Sequence, residues 1–328
     1  MNANIQGYAL KQVEFWTFMS GKMNAGIDLM LLYVLESNGS SPGRRGFRMA
    51  VSGDRDFCGS IGGGIMEHKF VEMALDMLRE RAEGAVYQQV HDKSVSRNQS
   101  GMICSGEQTI FLYPLRESDR HVVHAVIDSW INEKPGTLTI TPSGLSFSGK
   151  PPLVDLQYRA EEGGGFIMEE RTGFKNELYI IGGGHCSKAL SELMSAMDFH
   201  ITVIDEREGL TTMRDNKHAH RKMTVPSYRL LADHVSPGDR SYVVVMTFGY
   251  RTDDVAFRAL MGRPYKYLGI LGSRKKIEKM MQDYRAEGME ENMLQQAYAP
   301  IGIQIKSETP EEIAVSIAAQ IIAVKNRS

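Results

Sequence analysis

A glycine-rich turn in the second half of this chain constrains its fold more than any other feature. Gly182, Gly183 and Gly184 stand between an apolar run and a segment with helical spacing, and glycines allow the tight strand-to-helix turn that such a junction needs. Strands and helices alternate from there on. The predicted elements are strands at 178–181, 201–204, 242–247 and 267–271, a helix to about Met197 and a helix at 310–324. This alternation predicts an α/β unit over residues 176–328, a Rossmann-like, doubly wound parallel sheet.

The same turn has the spacing of a dinucleotide-binding fingerprint. Its pattern is Gly182-x-Gly184-x-x-Ser187, and Asp205 ends the next predicted strand. In such a crevice Asp205 would accept hydrogen bonds from a ribose diol and repel a 2′-phosphate, which favours an NAD-like ligand over an NADP-like one. The alternative is a doubly wound domain whose crevice is empty or serves another purpose.

A further glycine follows the strand predicted at 267–271 and opens another helix. The segment reads Gly272-Ser273-Arg274-Lys275-Lys276, and Arg274 is predicted to hold an anion at this helix start. A solvated basic turn explains the segment equally well. His185 and Cys186, inside the first glycine turn, are interpreted as packing residues because no second metal ligand stands at a suitable local spacing.

The first half predicts an N-terminal α+β domain over residues 1–133. Apolar residues recur at helical spacing over 13–38, and a strand is predicted at 47–51. Gly62, Gly63 and Gly64 precede a further helix, and a strand is predicted at 109–113. Residues 134–175 are rich in Gly, Pro, Ser and acidic residues. They predict a connection of uncertain structure with some short strands.

Cys104 is the candidate reactive residue of the first half. It stands among glycines just before a strand, where exposed backbone N–H groups would favour its thiolate, the form that reacts and binds metals. The more common fate of a lone cysteine is that of a small apolar residue in a tight turn. Cys58, beside the first glycine run, is a weaker candidate.

Two polar segments of the first half are candidates for ligand contacts. Ser41 lies in a turn that also carries Arg44 and Arg45, and guanidinium groups bind phosphate well. Glu67, after the Gly62–Gly64 loop, could bind a ligand donor, but capping of the following helix is the favoured interpretation.

Composition excludes several classes of protein. The 328 residues contain 38 Lys and Arg against 40 Asp and Glu, a net charge of -2, so no electrostatic footprint for nucleic acid is present. No apolar run is long enough to span a bilayer, and the first 30 residues are too polar for a secretory signal peptide. The 3 cysteines suggest neither a disulfide framework nor a zinc site. We therefore expect a cytoplasmic protein that contacts neither nucleic acid nor membrane.

Taken together, the motifs resemble those of the xanthine dehydrogenase accessory protein family, XdhC/CoxI. The resemblance covers most of the chain, and several separate motifs occur in the family's order. They are Gly39-Ser40-Ser41-Pro42-Gly43 with Met49, Gly59-Ser60-Ile61-Gly62-Gly63-Gly64 with Glu67, Gly101-Met102-Ile103-Cys104, Gly182 to Ser187, Asp205-Glu206-Arg207-Glu208, Gly269 to Arg274, Pro300-Ile301-Gly302, and Thr309 to Ile317.

The resemblance implies a chaperone that binds molybdenum cofactor, supports its sulfuration and delivers it to apo-xanthine dehydrogenase or a related molybdenum hydroxylase. It also implies a homodimer and a cysteine desulfurase as a further partner. Cys104 becomes the candidate contact for the cofactor's metal or its sulfur. The Gly62–Gly64 loop would cradle the pterin phosphate or shape the pocket.

Two departures from the family pattern affect this interpretation. The family often has glycine where this chain has Ser105, and histidines where it has Phe248 and Tyr250. If those histidines bind a metal or transfer protons, that activity is in doubt here, while cofactor carriage could survive their loss. An NAD-dependent oxidoreductase, with Tyr250 or His185 transferring the proton, is the second hypothesis. In a third, the Rossmann-like crevice holds a regulatory nucleotide or the nucleotide half of a dinucleotide form of the cofactor.

Overall fold

The computed structural model describes residues 11–90, 106–197 and 199–327. Within these ranges the chain divides into two compact units, one over Lys11–Gly173 and a second that begins at Phe174. Residues 134–173, predicted as a connection with some short strands, belong to the first unit and do form short strands.

The first unit combines antiparallel sheets with helices. Its described helices and strands are α1 (Lys11–Asn24), β1 (Leu29–Gly39), β2 (Arg48–Ser52), β3 (Phe57–Ser60), α2 (Gly64–Glu80), β4 (Ala85–Val90), β5 (Gly106–Pro114), α3 (Arg120–Ile131), β6 (Gly136–Thr141), β7 (Gly144–Ser148), β8 (Leu156–Ala160) and β9 (Phe166–Thr172). One sheet has the order β3-β2-β1-β5-β4 and the other the order β7-β6-β9-β8. This arrangement is α+β, as predicted.

The helix predicted over residues 13–38 ends early, because its second half is strand β1. Leu29 to Leu35 are all buried. Met30, Leu32 and Val34 pack with α2, while the Tyr33 hydroxyl donates to Glu170 Oε2 of β9 at 2.7 Å. A strand covered on both faces is apolar throughout, so it lacks the alternation that marks a half-buried strand and resembles a buried helix in sequence.

The second unit is a parallel sheet with helices on both faces. Its described elements are β10 (Asn176–Ile181), α4 (His185–Ser195), β11 (Phe199–Asp205), α5 (Thr211–Arg214), β12 (Arg221–Thr224), α6 (Leu231–His234), β13 (Gly238–Val245), α7 (Tyr250–Leu260), β14 (Tyr265–Ile270), α8 (Arg274–Ala286), α9 (Glu291–Leu294), β15 (Ala297–Tyr298) and α10 (Pro310–Lys325). Helices α4 and α10 share one hydrophobic cluster with the sheet, and α7 and α8 share another. The predicted doubly wound fold is confirmed.

Strand order places a crevice in the second unit. The order is β12-β11-β10-β13-β14-β15, with parallel neighbours throughout. Numbered from β10, this is the 3-2-1-4-5-6 order of dinucleotide-binding folds. Successive strands are added toward one edge of the sheet from β10 to β12 and toward the other edge from β13 onward. The loops after β10 and β13 lead to opposite faces of the sheet, which opens a crevice at the strands' carboxyl ends.

Candidate functional site

Three segments of the first unit converge at one end of the five-stranded sheet. They are the turn after β1, the loop after β3, and the start of β5. A Cβ on Gly62 would lie 2.7 Å from the Gly43 nitrogen, and one on Gly106 would lie 2.6 Å from the Ser41 nitrogen. Side chains could not fit between these backbones, so the glycines permit the convergence.

The loop amides at this convergence already have an anionic partner. Glu67 Oε2 accepts hydrogen bonds from Ser60 Oγ at 2.7 Å, from the Ile61 N–H at 3.2 Å and from the Gly63 N–H at 2.9 Å. The Gly62 N–H donates to Ser60 Oγ at 3.1 Å. The carboxylate of Glu67 therefore lies at the loop that was expected to cradle a ligand phosphate. Its hydrogen bonds to the loop N–H groups match the favoured interpretation, in which Glu67 caps the following helix.

Ser41 and Cys104 are both candidate ligand contacts of the first unit. Ser41 is buried, and its hydroxyl donates to the Gly43 carbonyl at 2.8 Å within its own turn. Cys104 lies outside the described residues, two positions before Gly106 in the sequence. Cys58, in β3, is half-buried, and burial raises the pKa of its thiol.

The second unit's glycine turn uses its glycines for different purposes. Gly182 has a φ of 112° and its N–H donates to the Ile204 carbonyl at 2.7 Å. A Cβ there would overlap the Met246 carbonyl of the neighbouring strand's end. Gly184 has an ordinary φ of -78°, and no described atom lies within 4 Å of the position its Cβ would take. Neither conformation nor packing requires glycine at 184, which leaves open space at the start of α4.

The sequence suggested that Asp205 faces an open ribose site. In the structure its side chain does not. It is fully buried, and its carboxylate accepts hydrogen bonds from the Gly183 N–H at 2.7 Å and from Arg207, through the backbone N–H at 2.8 Å and the guanidinium at 2.8 and 2.9 Å. Burial by itself raises the pKa of Asp205, but the Arg207 side chain and these backbone N–H groups outweigh burial and lower it. Asp205 thus fixes the glycine turn. Ser187, the third fingerprint residue, packs in the interior with 1% exposure.

Arg207 and Phe248 are residues that sequence reasoning did not bring together. They follow β11 and β13, the two strands that flank β10, and the Arg207 guanidinium lies 5.5 Å from the centre of the Phe248 ring. The Phe248 side chain is 84% exposed. Such an exposed ring beside a guanidinium offers a stacking surface at the crevice. Asp205 and Arg207 are only two residues apart, so the sequence could have indicated their ion pair. The contact of Arg207 with Phe248 depends on the order of the strands in the sheet.

An ion pair with one buried partner was also missed. Asp253, which is 1% exposed, accepts from the Thr247 N–H at 2.8 Å and the Thr247 hydroxyl at 2.7 Å, and it pairs with Lys276. Lys276 belongs to the basic segment interpreted as an anion site, so one of that segment's cations has a structural partner. Arg274, from the same segment, follows β14, two strands away from β10, and donates to Gln304. It does not join Gly182, Gly184 and Asp205.

Two further findings concern metals and membranes. Over residues 11–90, 106–197 and 199–327, no three His, Cys, Asp or Glu side chains gather as metal ligands. None of the helices described in those ranges combines the length and apolar character required to cross a bilayer.

Comparisons with known proteins agree with this architecture. The XdhC Rossmann domain model matches residues 178–321, and the XdhC and CoxI family model matches residues 23–89. A solved Bacillus halodurans structure described as a xanthine dehydrogenase superposes with a TM-score of 0.73 at 21% identity, covering 97% of this chain and 96% of that one. It supports the fold.

Two curated relatives are similar in sequence. The uncharacterized protein YqeB of Escherichia coli is 25% identical over 307 residues, which cover 90% of this chain and 43% of YqeB. A probable xanthine dehydrogenase subunit from Bacillus subtilis is 28% identical over 159 residues, which cover 48% of this chain and 46% of the relative. The alignments thus span less than half the length of either relative. With two family models matching successive parts in order, and the predicted fold present in both units, the chain belongs to the XdhC and CoxI family.

Proposed function

We propose that this protein is a chaperone that binds molybdenum cofactor, supports its sulfuration and delivers it to xanthine dehydrogenase or a related molybdenum hydroxylase. The observation that carries the proposal is the convergence of the Ser41 turn, the Gly62–Gly64 loop and Gly106 in the first unit. These backbones are packed without side chains between them, which gives a rigid base, and Cys104 comes two residues before Gly106 in the chain.

The residues of this convergence suit transient holding. The amides of Ile61 and Gly63 are already satisfied by Glu67, so a phosphate would gain contacts there only as that carboxylate moves away. Binding that must displace an internal partner is weaker than binding to free donors. A carrier needs such moderate affinity because the cofactor is cargo that it must release. The soft sulfur of Cys104 would supply the contact with molybdenum or its sulfur.

The second unit would hold the nucleotide half of a dinucleotide form of the cofactor. Gly184 supports this, because it faces open space at the start of α4, where a diphosphate could approach the backbone. Asp205 and Arg207 are bonded to each other, so the discrimination between NAD and NADP expected from Asp205 alone does not carry over to this arrangement.

An NAD-dependent oxidoreductase is the second candidate, favoured by the same opening at Gly184. Tyr250, one of its two proposed proton donors (the other is His185), fits less well. The Tyr250 hydroxyl donates to Asp283 at 2.7 Å, and this hydrogen bond is the main cause that raises the pKa of Tyr250 to about 12. A group with so high a pKa transfers protons poorly near neutral pH.

The relatives described as xanthine dehydrogenase proteins support that enzyme as the partner. A cysteine desulfurase as sulfur source and a homodimeric state are further parts of the proposal. Co-purification with each partner and light scattering of the purified chain would test them.

The decisive experiment is anaerobic co-elution of molybdenum and pterin with the full chain. We expect near-stoichiometric cofactor on the wild-type protein and on the control Cys58→Ala, and its loss from Cys104→Ala. Retention by Cys104→Ala would contradict the role of that thiol while leaving carriage intact. Absence from all three proteins, combined with a nicotinamide spectral change during turnover, would favour the oxidoreductase.

A separate titration addresses the crevice. Gly184→Val fits the extended backbone at this position (φ -78°, ψ -168°) but would fill the open space. We expect it to remain folded and to lose nucleotide binding measured by calorimetry with NAD and NADP. Competition between bound cofactor and NAD in the wild-type protein would support a shared crevice. Unchanged nucleotide affinity in Gly184→Val would contradict it.

A further inference from the structure

A cavity of the second unit lies beside the carboxyl end of β14. It has a volume of about 550 Å³ and lies between the loop after β14, the loop of residues 300–307 and the first turns of α10. Pockets of ~300–1,000 Å³ are typical of sites for small organic ligands. The cavity is therefore large enough for a molecule the size of a substituted aromatic ring system.

The walls of this cavity are largely apolar. Leu271, Ile303, Ile305, Ile313 and Ile317 line it. Ile303 and Ile305 are 44% and 45% exposed, although both belong to an ordered loop beside the core. Exposed isoleucines that face a concavity lose contact with water when an apolar body enters, which favours its binding.

The charge of the lining has one sign. Arg274 and Lys306 lie at the cavity, and no residue that lines it is acidic. Neither cation forms an ion pair with any residue that the structure describes, although Arg274 donates to Gln304. The nearby Glu312 is turned to the backbone N–H groups of Glu308 and Thr309. The cations therefore remain available to an anionic ligand.

Hydrogen bonds fix the loop that forms one wall of the cavity. The Gly302 N–H donates to Gln320 Oε1 at 2.7 Å, and the Ser316 hydroxyl donates to the Ile303 carbonyl at 2.6 Å. The Ile301 N–H donates to the Ile270 carbonyl at 2.9 Å. These bonds fix the loop to α10 and to β14, so little ordering entropy would be lost on binding.

We propose that this cavity is a binding site for an anionic organic molecule with an apolar or aromatic body, a phosphate monoester or a carboxylate. The isoleucines hold the body, and Arg274 and Lys306 bind the anionic group. The site goes beyond cofactor carriage by the first unit, and its test requires no molybdenum cofactor.

The test titrates the full chain with naphthyl phosphate, naphthoate and the neutral naphthalenemethanol by calorimetry. We expect one site per chain for the anions and binding at least about tenfold weaker for the neutral probe. Arg274→Gln/Lys306→Gln should reduce anion affinity to the level of the neutral probe. The matched control Lys275→Gln/Lys325→Gln removes the same charge from residues outside the cavity and should bind as wild type.

Several results would overturn the proposal. One is that neither anion binds at millimolar concentration. Another is that the two double variants bind the anions with equal affinity. A third is that a folded Ile313→Trp variant, whose new side chain fills the cavity, binds the anions as the wild type does. Circular dichroism and thermal unfolding check that each variant is folded. Stronger binding of naphthyl phosphate than of naphthoate, or the reverse, supports the site and identifies the preferred anionic group.

Discussion

The two glycine loops of this protein have similar compositions, but they differ in which of their glycines the fold requires. Each contains a glycine pressed against a neighbouring backbone, Gly62 in the first unit and Gly182 in the second. Each also donates an N–H to a carboxylate of the same unit, Glu67 or Asp205. The loops differ at the glycine directly before the helix, because Gly63 before α2 has a φ of 78° and Gly184 before α4 has a φ of -78°.

That difference separates a glycine that its backbone conformation requires from one that it does not. A positive φ explains glycine at 63 without any ligand. At 184 the backbone has an ordinary φ and the space before it is open, and the proposal of a nucleotide in the crevice rests on this opening. A glycine-rich motif therefore gains functional meaning only at positions that the fold itself does not require.

The largest expected effect on stability, which tests this distinction, concerns the second unit's glycine turn. Gly182→Ala should lower the free energy of unfolding by about 4 kcal/mol, since it adds both an unfavourable φ and an overlap with the Met246 carbonyl. Gly184→Ala should change it by less than about 0.5 kcal/mol. Urea unfolding of both variants checks this, and similar losses would show that both glycines are structural.

Asp205→Ala should have the next largest effect, about 3 kcal/mol, because it leaves the Gly183 N–H buried without its acceptor and removes the partner of Arg207. The pKa of Asp205 is lowered in the folded protein, so its contribution is present above its usual pKa and is lost as pH falls through the folded value. The exposed pair of Asp215 and Arg214 provides the control. Asp215→Ala should cost under about 0.5 kcal/mol, and an equal cost would contradict a special role for Asp205.

A pH titration should distinguish the second unit by its buried histidine. Burial, and secondarily His200, lowers the pKa of His220 to about 3. Because the unfolded chain takes up this proton near pH 6.5, the stabilisation is complete above that pH and declines as pH falls. We expect a loss of about 1–2 kcal/mol between pH 7 and pH 5. His220→Asn should flatten this slope in urea unfolding at several pH values, and an unchanged slope would assign it to other groups.

The smallest predicted effect belongs to the first unit's loop. Glu67→Gln should cost about 1 kcal/mol, because a neutral amide oxygen accepts the loop N–H groups less strongly than a carboxylate does. Glu72→Gln, which breaks an exposed pair with Arg55, should cost less than about 0.5 kcal/mol. Thermal unfolding compares the two, and indistinguishable values would mean that Glu67 does not secure the loop.

Periodicity and turn chemistry were sufficient to predict the second unit. Its strands alternate with helices, and α10 begins as predicted, with Thr309 and Glu312 forming reciprocal hydrogen bonds around Pro310. The first unit was harder because β1 is buried on both faces and has no alternation. Residues 134–173 were harder still, since β7 and β8 are short and neither contains a buried residue.

The candidate site was predicted where its parts are close in sequence. The glycine turn and Asp205 were found from their spacing, and the structure joins them through the Gly183 N–H. The contacts of Arg207 with Phe248 and of Lys276 with Asp253 depend on which strands are neighbours. No local pattern in the sequence encodes that order.

The position of β1 in its sheet has a consequence for synthesis of the chain on the ribosome. Its neighbours are β2, which follows directly, and β5, which ends at Pro114. One edge of this apolar strand therefore stays unpaired until the ribosome has made β5 and released it from the exit tunnel. During that interval the nascent chain exposes a strand edge that could pair with another molecule, so we expect a translating chain halted before β5 emerges to bind chaperones more strongly than one halted after α3 has emerged.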